Sequence, residues 1–265
     1  MTLITVQEQH LPGSSLEEKF DTALAWGFDG IELRSGGELQ FAARLPELRR
    51  AKNAGVVMPT ACVDMTHFIG AFDDELRKDA VAQLKSQLST MAEIGGRGVM
   101  TPASYGMFSK RLPPFVPPRS DEEDRAVLAD ALTVLGEHAA SEGVEIYLEP
   151  LNRYEDHMIN RLADGVDLLK LVGLESVLLA PDTYHMNIEE SDPAAALQGA
   201  AAYIGHVQAS DSNRLEPGAG NIDWALFGAT LKSIGYQGTV ALESRLSGPA
   251  REVLPRVPAL LGRYL

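Results

Sequence analysis

Cysteine is nearly absent from this chain. Cys62 is the one cysteine in 265 residues, so no disulfide closes within it, and such usage fits a reducing compartment. Positive charge is scarce too: 23 lysines and arginines face 37 aspartates and glutamates, for a formal net charge of -14. A chain of that sign is not held on nucleic acid by its overall field, because phosphate recognition needs clustered cations. Nor is it drawn to an anionic membrane surface. Long apolar runs are missing, none approaching the roughly 20 residues that span a bilayer. The opening residues MTLITVQEQHLPG have neither a basic start nor a long apolar core, so no signal peptide is expected. A soluble cytoplasmic protein without nucleic-acid or membrane partners is the expectation. A glycine-rich turn after the first β-like run is also lacking, which removes the signature of a dinucleotide-binding sheet.

What is present is a steady alternation of short β-like runs and amphipathic helical stretches. Candidate strands are Leu3–Val6, Gly30–Leu33, Val56–Val63, Gly98–Thr101, Val144–Leu148, Ser176–Ala180, Tyr203–Ala209 and Thr239–Leu242. Between them the period turns helical, as in the stripes Leu16, Phe20, Ala23, Leu24 and Val127, Leu128, Ala131, Leu132, Leu135. Ser15 with Glu18, and Ser120 with Glu123, are spaced as capping boxes. Gly27, Gly55, Gly95, Gly143 and Gly235 stand where helices should stop. Eight strand-helix units imply a parallel sheet closed on itself. The fold class is α/β, a (β/α)8 TIM barrel, with residues 1–265 as a single domain. The 45% hydrophobic content suffices for its core.

Four residues fall at the ends of four consecutive candidate strands: Glu149 in IYLEPLNRYE, Asp182 in LLAPDTYHMN, Gln208 in IGHVQASD and Glu243 in TVALES. Their separations of 33, 26 and 35 residues each approximate one strand-helix unit, about 31 residues in a barrel of roughly 250. Parallel strands would carry all four to one rim, where barrel active sites lie. Three carboxylates converging there repel unless a cation neutralises them. A lone Glu would more often be a buried ion pair, but Arg153 and Arg245 are the only arginines or lysines near these strand ends. A lone Gln208 would more often line a wall; its amide oxygen can nevertheless ligate a hard cation. Three carboxylates and one amide oxygen form a hard donor set, suited to one divalent metal, Mn²⁺ first, with Mg²⁺ or Co²⁺ as alternatives.

Glu155, His185 and Arg214 lie in the loops just after these residues, and are candidates for contacts to substrate hydroxyls rather than ordinary exposed loop charges. His185 is also a candidate partner behind the metal. His206 shares Gln208's face of its strand, either packing inward or standing behind the ligands. Gly218 and Gly220 read as a sharp turn into the following helix, since a lone GxG is weak evidence for a phosphate cradle. His10, His67 and His157 have no clear place, and His138 reads as a helix-surface residue. Pro102–Arg119, with five prolines, reads as a lid or a subunit contact. Asp64–Phe72, with His67, Phe68 and Phe72, reads as a second rim loop forming an apolar wall beside a small ligand.

The strings LEPLNRYE, DTYHMNIEE, HVQASDSNRLEPGAGNIDW and GYQGTVALES resemble the xylose-isomerase-like barrel superfamily. Within it they are most similar to ketose 3-epimerases acting on D-tagatose, D-psicose or L-ribulose. The resemblance covers Val144–Ser244; the first half matches in layout. It implies divalent-metal roles for Glu149, Asp182 and Glu243, and sugar contacts for Glu155, His185 and Arg214. The epimerases usually have His where this chain has Gln208, whereas hydroxypyruvate isomerases resemble it there.

The resemblance and the paired glutamates together imply an isomerase of carbohydrate metabolism, a metal-dependent epimerase of small unphosphorylated ketoses. Glu149 and Glu243 would form the acid/base pair around an enediolate. A hydroxypyruvate or 2-oxo-sugar-acid isomerase and a lyase (dehydratase or deglycosidase) are the alternatives on the same barrel. A DNA-repair endonuclease is disfavoured by the charge and by six histidines. A binding barrel without catalysis is disfavoured by both glutamates being in place. The absence of an arginine or lysine cluster argues against a phosphorylated substrate. A homo-dimer or homo-tetramer fits the relatives, with Trp224, Phe227 and the proline-rich loop as contact surface.

Overall fold

A computed structural model describes residues 2–107 and 116–265, and within them every run read as a strand overlaps one. They are β1 (Leu3–Gln7), β2 (Gly30–Gly36), β3 (Thr60–Asp64), β4 (Gly98–Pro102), β5 (Glu145–Glu149), β6 (Val177–Leu179), β7 (His206–Ala209) and β8 (Thr239–Leu242). β3 starts four residues later than the pattern suggested, just after Pro59, which has no N–H to give a ladder. All pairings are parallel, in the order β6-β5-β4-β3-β2-β1-β8-β7. The two ends of that order meet through parallel bridges Leu179↔Ile204 and Asp182↔Gln208. The sheet is therefore a nearly closed barrel.

Helices alternate with the strands: α1 (Leu16–Ala25), the pair α2 (Gln40–Ala43) and α3 (Leu45–Asn53), α4 (Asp74–Ile94), α5 (Asp121–Glu142) and α6 (Leu162–Val172). After β6 come α7 (Thr183–Glu189) and α8 (Pro193–Ala200); α9 (Trp224–Ser233) precedes β8, and α10 (Ala250–Val253) and α11 (Arg256–Leu261) follow it. The Ser120–Glu123 capping box at α5 is complete, with Glu123 N–H on Ser120 Oγ at 3.2 Å and Ser120 N–H on the Glu123 carboxylate at 2.7 Å. At α1 only half the expected box forms. Ser15 Oγ caps Glu18 N–H, but the Glu18 carboxylate takes both donors of Ser14, at 2.7 and 2.8 Å. All five glycines read as helix stops have φ between +70° and +90°, the left-handed conformation that costs any other residue a clash.

Strand residues alternate between two environments, as a period of two requires. Ile4, Val6, Ile31, Leu33, Val99, Ile146, Leu148, Val207 and Val240 face outward and join one large apolar core with the helices. The alternate residues point into the barrel. Around mid-height these are Cys62, Met100, Tyr147 and Ala180, a small apolar plug. Other inward residues are polar and buried: Glu32 in the middle of β2, His206 and Gln208 in β7, and Gln7 and Glu149 at the C-terminal ends of β1 and β5. The outer face makes the fold, and the inner face makes the site. No helix among the described residues is long and apolar enough to cross a membrane.

Candidate active site

Glu149 is the last residue of β5, and Glu243 follows β8 directly on the inward-facing register of Thr239 and Ala241. Gln208 lies within β7 rather than at its end. Asp182 lies beyond β6, as the N-cap of α7, where its Oδ1 accepts Tyr184 N–H at 2.7 Å and His185 N–H at 3.2 Å. It still reaches the rim, because Gln208 N–H donates to Pro181 O at 2.8 Å and carries the chain alongside β7. Glu149, Glu243, Glu155, His185 and Arg214 all line one cavity of about 520 Å³ at this rim. A cavity of about 490 Å³ opens around Arg97, Glu145 and Tyr236 at the opposite end, but barrel chemistry is confined to the C-terminal face.

The electrostatics of the rim cavity are acidic and strained. Burial, then the neighbouring Glu243 and Asp182 carboxylates, hold the Glu149 carboxyl well above its ordinary range. Burial also raises Glu243, against the lowering charge of Arg214 and with the help of Asp182. Arg214 is the resident counter-charge: Nη1 donates to Asp182 Oδ2 at 2.6 Å, and Nη2 lies 3.0 Å from Glu243 Oε2. Glu149 Oε1, Gln208 Oε1 and Glu243 Oε2 are buried without a hydrogen-bond partner among the described residues, the Arg214 contact to Glu243 being an ion pair. Three orphaned hard oxygens beside Asp182 fit a divalent cation.

Among the described residues, the acidic and histidine ligand atoms that lie within 4.8 Å of one another are those of Glu149, Asp182 and His185, without Glu243. The hydrogen bonds of His185 argue against it as a ligand. Asn152 backbone N–H donates to His185 Nδ1 at 3.0 Å, so Nδ1 has no proton and a neutral ring carries its proton on Nε2. A metal-bound imidazole needs the reverse, donating its far N–H. Burial pushes the ring's pKa down to about 4 despite the raising charge of Asp182. His185 is built as a neutral donor, with Nε2 3.6 Å from Glu149 Oε1. Asn152 Nδ2 donates to Glu155 as well, at 3.1 Å, and so orders both sugar-contact candidates.

Behind Gln208 lies a group that the sequence reading missed. Glu32, mid-strand in β2 and fully buried, accepts Gln7 Nε2 at 3.1 Å and Gln208 Nε2 at 3.0 Å on one oxygen. Its other oxygen accepts Thr60 Oγ1 at 2.9 Å and lies 2.9 Å from His206 Nε2. Burial alone would raise the Glu32 carboxyl, but His206 and the two amides outweigh it and hold the pKa below the ordinary value. His206 packs inside the barrel against Glu32, its Nε2 2.9 Å from Glu32 Oε1. A charged residue inside the apolar run GIEL was the available signal.

Other expectations fare differently. The loop before α9 wraps Asp211, whose carboxylate accepts N–H groups of Ser212, Gly218 and Ile222 and Trp224 Nε1. Gly218 has φ +96°, and a Cβ on Gly220 would collide with Asp211 Oδ1, so both glycines serve this turn. Trp224 and Phe227 are not contact surface: both are buried, stacked edge-to-face at 5.5 Å. Phe68 and Met65 line the cavity as an apolar wall. Phe72 instead stacks on buried His157 and under Arg119, and His67 pairs with Asp79. His138 is half-buried, bonded to Ser89 across the α4–α5 contact rather than free on a helix surface. Residues 108–115 of the proline-rich loop lie outside the described residues. Its end is tied down by Arg119, which bonds Asp124 and the carbonyls of Gly70 and Ala71. Arg34 from β2 and Arg214 and Arg245 from two loops converge on the cavity, a cluster that their distance in sequence concealed. Arg34 is paired with Asp64.

The profile of the xylose isomerase-like TIM barrel family matches residues 20–261. The 3-dehydro-D-guloside 4-epimerase of Escherichia coli K12 is 40% identical over 244 residues, 92% of either chain. The D-psicose 3-epimerase of Agrobacterium fabrum is 30% identical over 227 residues, 82% of this chain and 75% of its own. Among solved structures, the apo 3-keto-D-glucoside 4-epimerase from E. coli superposes with a TM-score of 0.91 at 38% identity, covering 99% of this chain and 100% of that one.

Proposed function

The chain belongs to the xylose isomerase-like TIM barrel family, and from that premise we propose that it is a divalent-metal-dependent sugar epimerase. The reaction inverts a stereocentre beside a ketone. The observation that carries this reading is the pair Glu149 and Glu243, which come from separate strands into one cavity, each with a buried oxygen that accepts no hydrogen bond from the described residues. Elevated carboxyl pKa values suit groups that must both take and return a proton near neutral pH. Glu149 and Glu243 face the reacting carbon from opposite sides, one removing its proton and the other delivering one to the far face. His185 Nε2–H and Arg214 donate to substrate oxygens, and Glu155 accepts from a hydroxyl. Glu149, Asp182, Gln208 and Glu243 would hold Mn²⁺, with Mg²⁺ or Co²⁺ as alternatives, and the cation would supply the positive charge that makes an enediolate accessible.

Near-complete alignment with 4-epimerases of 3-keto and 3-dehydro sugars supports a keto-glycoside inverted at C4 as the first substrate to assay. Similarity to D-psicose 3-epimerases supports free ketoses inverted at C3 as the second. Both place the labile proton beside a ketone, so one machinery serves either. The test is an NMR assay in D₂O with Mn²⁺-loaded protein, offering a methyl 3-keto-glucoside, D-psicose and D-tagatose in turn. Deuterium should enter one carbon as the epimer appears. No exchange with any of the three, from a protein that binds Mn²⁺, would sink the epimerase reading.

A further inference from the structure

We infer that Glu32 is the positioning residue that turns the Gln208 amide so that its carbonyl oxygen faces the metal site. The inference rests on the metal reading above. An amide can present either its oxygen or its NH₂, and the local partners decide which. On the site side stand Glu149, Asp182 and Glu243, and three carboxylates attract an NH₂ group. Left to that field, Gln208 would swing its donor inward and offer a metal nothing. The opposite side prevents this. Glu32 is an acceptor only, and it takes Gln208 Nε2–H at 3.0 Å. A flipped amide would set its oxygen against that carboxylate.

The other partners of Glu32 make it hard to displace. Gln7 and Thr60 donate to it, His206 Nε2 lies 2.9 Å away, and the group has no contact with solvent. Gln7 is itself fixed by Gln9, whose Nε2 donates to Gln7 Oε1 at 2.6 Å. Gln208 Oε1 is left buried with no hydrogen-bond partner among the described residues, an arrangement that costs about 1–3 kcal/mol for a polar atom so placed and that a cation would relieve. Donation by a ligand's far atom to a fixed carboxylate is how metal sites are commonly oriented.

The experiment is a Mn²⁺ titration of metal-stripped protein, reading free Mn²⁺ by EPR, on wild type, E32Q and E32Q/Q208E. E32Q gives Gln208 no fixed acceptor, and its Kd should rise roughly 10- to 100-fold. E32Q/Q208E exchanges donor and acceptor across the contact and restores a site-facing oxygen, so affinity should return at least to the wild-type level. E32Q binding as tightly as wild type, or a double variant no tighter than E32Q, would overturn the inference and leave the metal reading standing. Wild-type protein that binds no divalent ion would overturn both. Should E32Q fail to fold, wild-type protein decides by side-chain NMR with diamagnetic Mg²⁺. The Gln208 carbonyl carbon should shift while its amide nitrogen stays bonded and protected from exchange; the reverse pattern refutes the inference.

Discussion

Glu149 and Glu243 differ in one respect that bears on their roles. Glu149 Oε1 is buried with no partner among the described residues, whereas Glu243 shares Arg214 with Asp182. Replacing either with Gln removes the proton acceptor while keeping volume, so kcat should fall about 10²- to 10⁴-fold with an unchanged circular dichroism spectrum. Near-wild-type turnover in both variants would remove them from the mechanism. His185 provides a pH test. Its pKa of about 4 in the fold compares with about 6.5 in an unfolded chain. Between those values the unfolded chain binds a proton that the folded one refuses. Its contribution is therefore intact above about pH 6.5 and lost as pH falls through about 4, about 3 kcal/mol in all. Urea unfolding of wild type against H185Q should show that acid limb in the former alone, and ¹⁵N NMR should find Nδ1 unprotonated at neutral pH. A ring titrating near 6.5 would refute it. The strand-end positions of Glu149 and Glu243 could be read from the sequence because they close apolar runs. For Glu32 the charge inside GIEL marked only a buried group; its role depends on Gln208, 176 residues away.

At the scale of elements, the sequence was legible where structure is local. Strands, helix stops and the Ser120 cap follow from periodicity, glycine and short-range hydrogen bonds. Loops were less legible, because their shapes depend on what they wrap. The segment from Asp211 to Ile222 is organised by one buried carboxylate that receives three backbone N–H groups and an indole N–H. Arg214, at φ +60°, sits within this turn and is bonded from both sides, its N–H to Asp211 O and its carbonyl to Arg245 N–H. Asp211 thus acts on the site through Arg214. D211N sets an NH₂ against donors and should destabilise the protein by about 2–4 kcal/mol. Because Arg214 would be loosened with it, kcat/KM should fall even in the fraction that stays folded. Denaturant unfolding with kinetics at saturating Mn²⁺ separates the two, and wild-type kinetics in a destabilised variant would confine Asp211 to stability.

For the molecule as a whole, a barrel concentrates at one rim what the chain spreads over its length, and here it concentrates negative charge. In the metal-free protein Glu149 and Glu243 hold protons to higher pH than they would unfolded. Their sign is opposite to that of His185. The folded state binds the extra protons, so their contribution is present below the unfolded value of about 4.3 and is lost as pH rises through the raised folded values. A cation removes that loss by replacing the protons, so its binding should release protons and tighten as pH rises. At a hundred times Kd a ligand adds about 2.7 kcal/mol, worth roughly 5–10 °C in a domain of this size. Chelation should then lower Tm by that amount near pH 8 and by much less near pH 5, with Mn²⁺ restoring it. A chelator effect that is flat across this range would mean that the cation sits away from Glu149 and Glu243. In the proposed mechanism the same two carboxylates serve as ligands and as proton carriers, so E149Q and E243Q should narrow the gap in Tm as well as stop turnover.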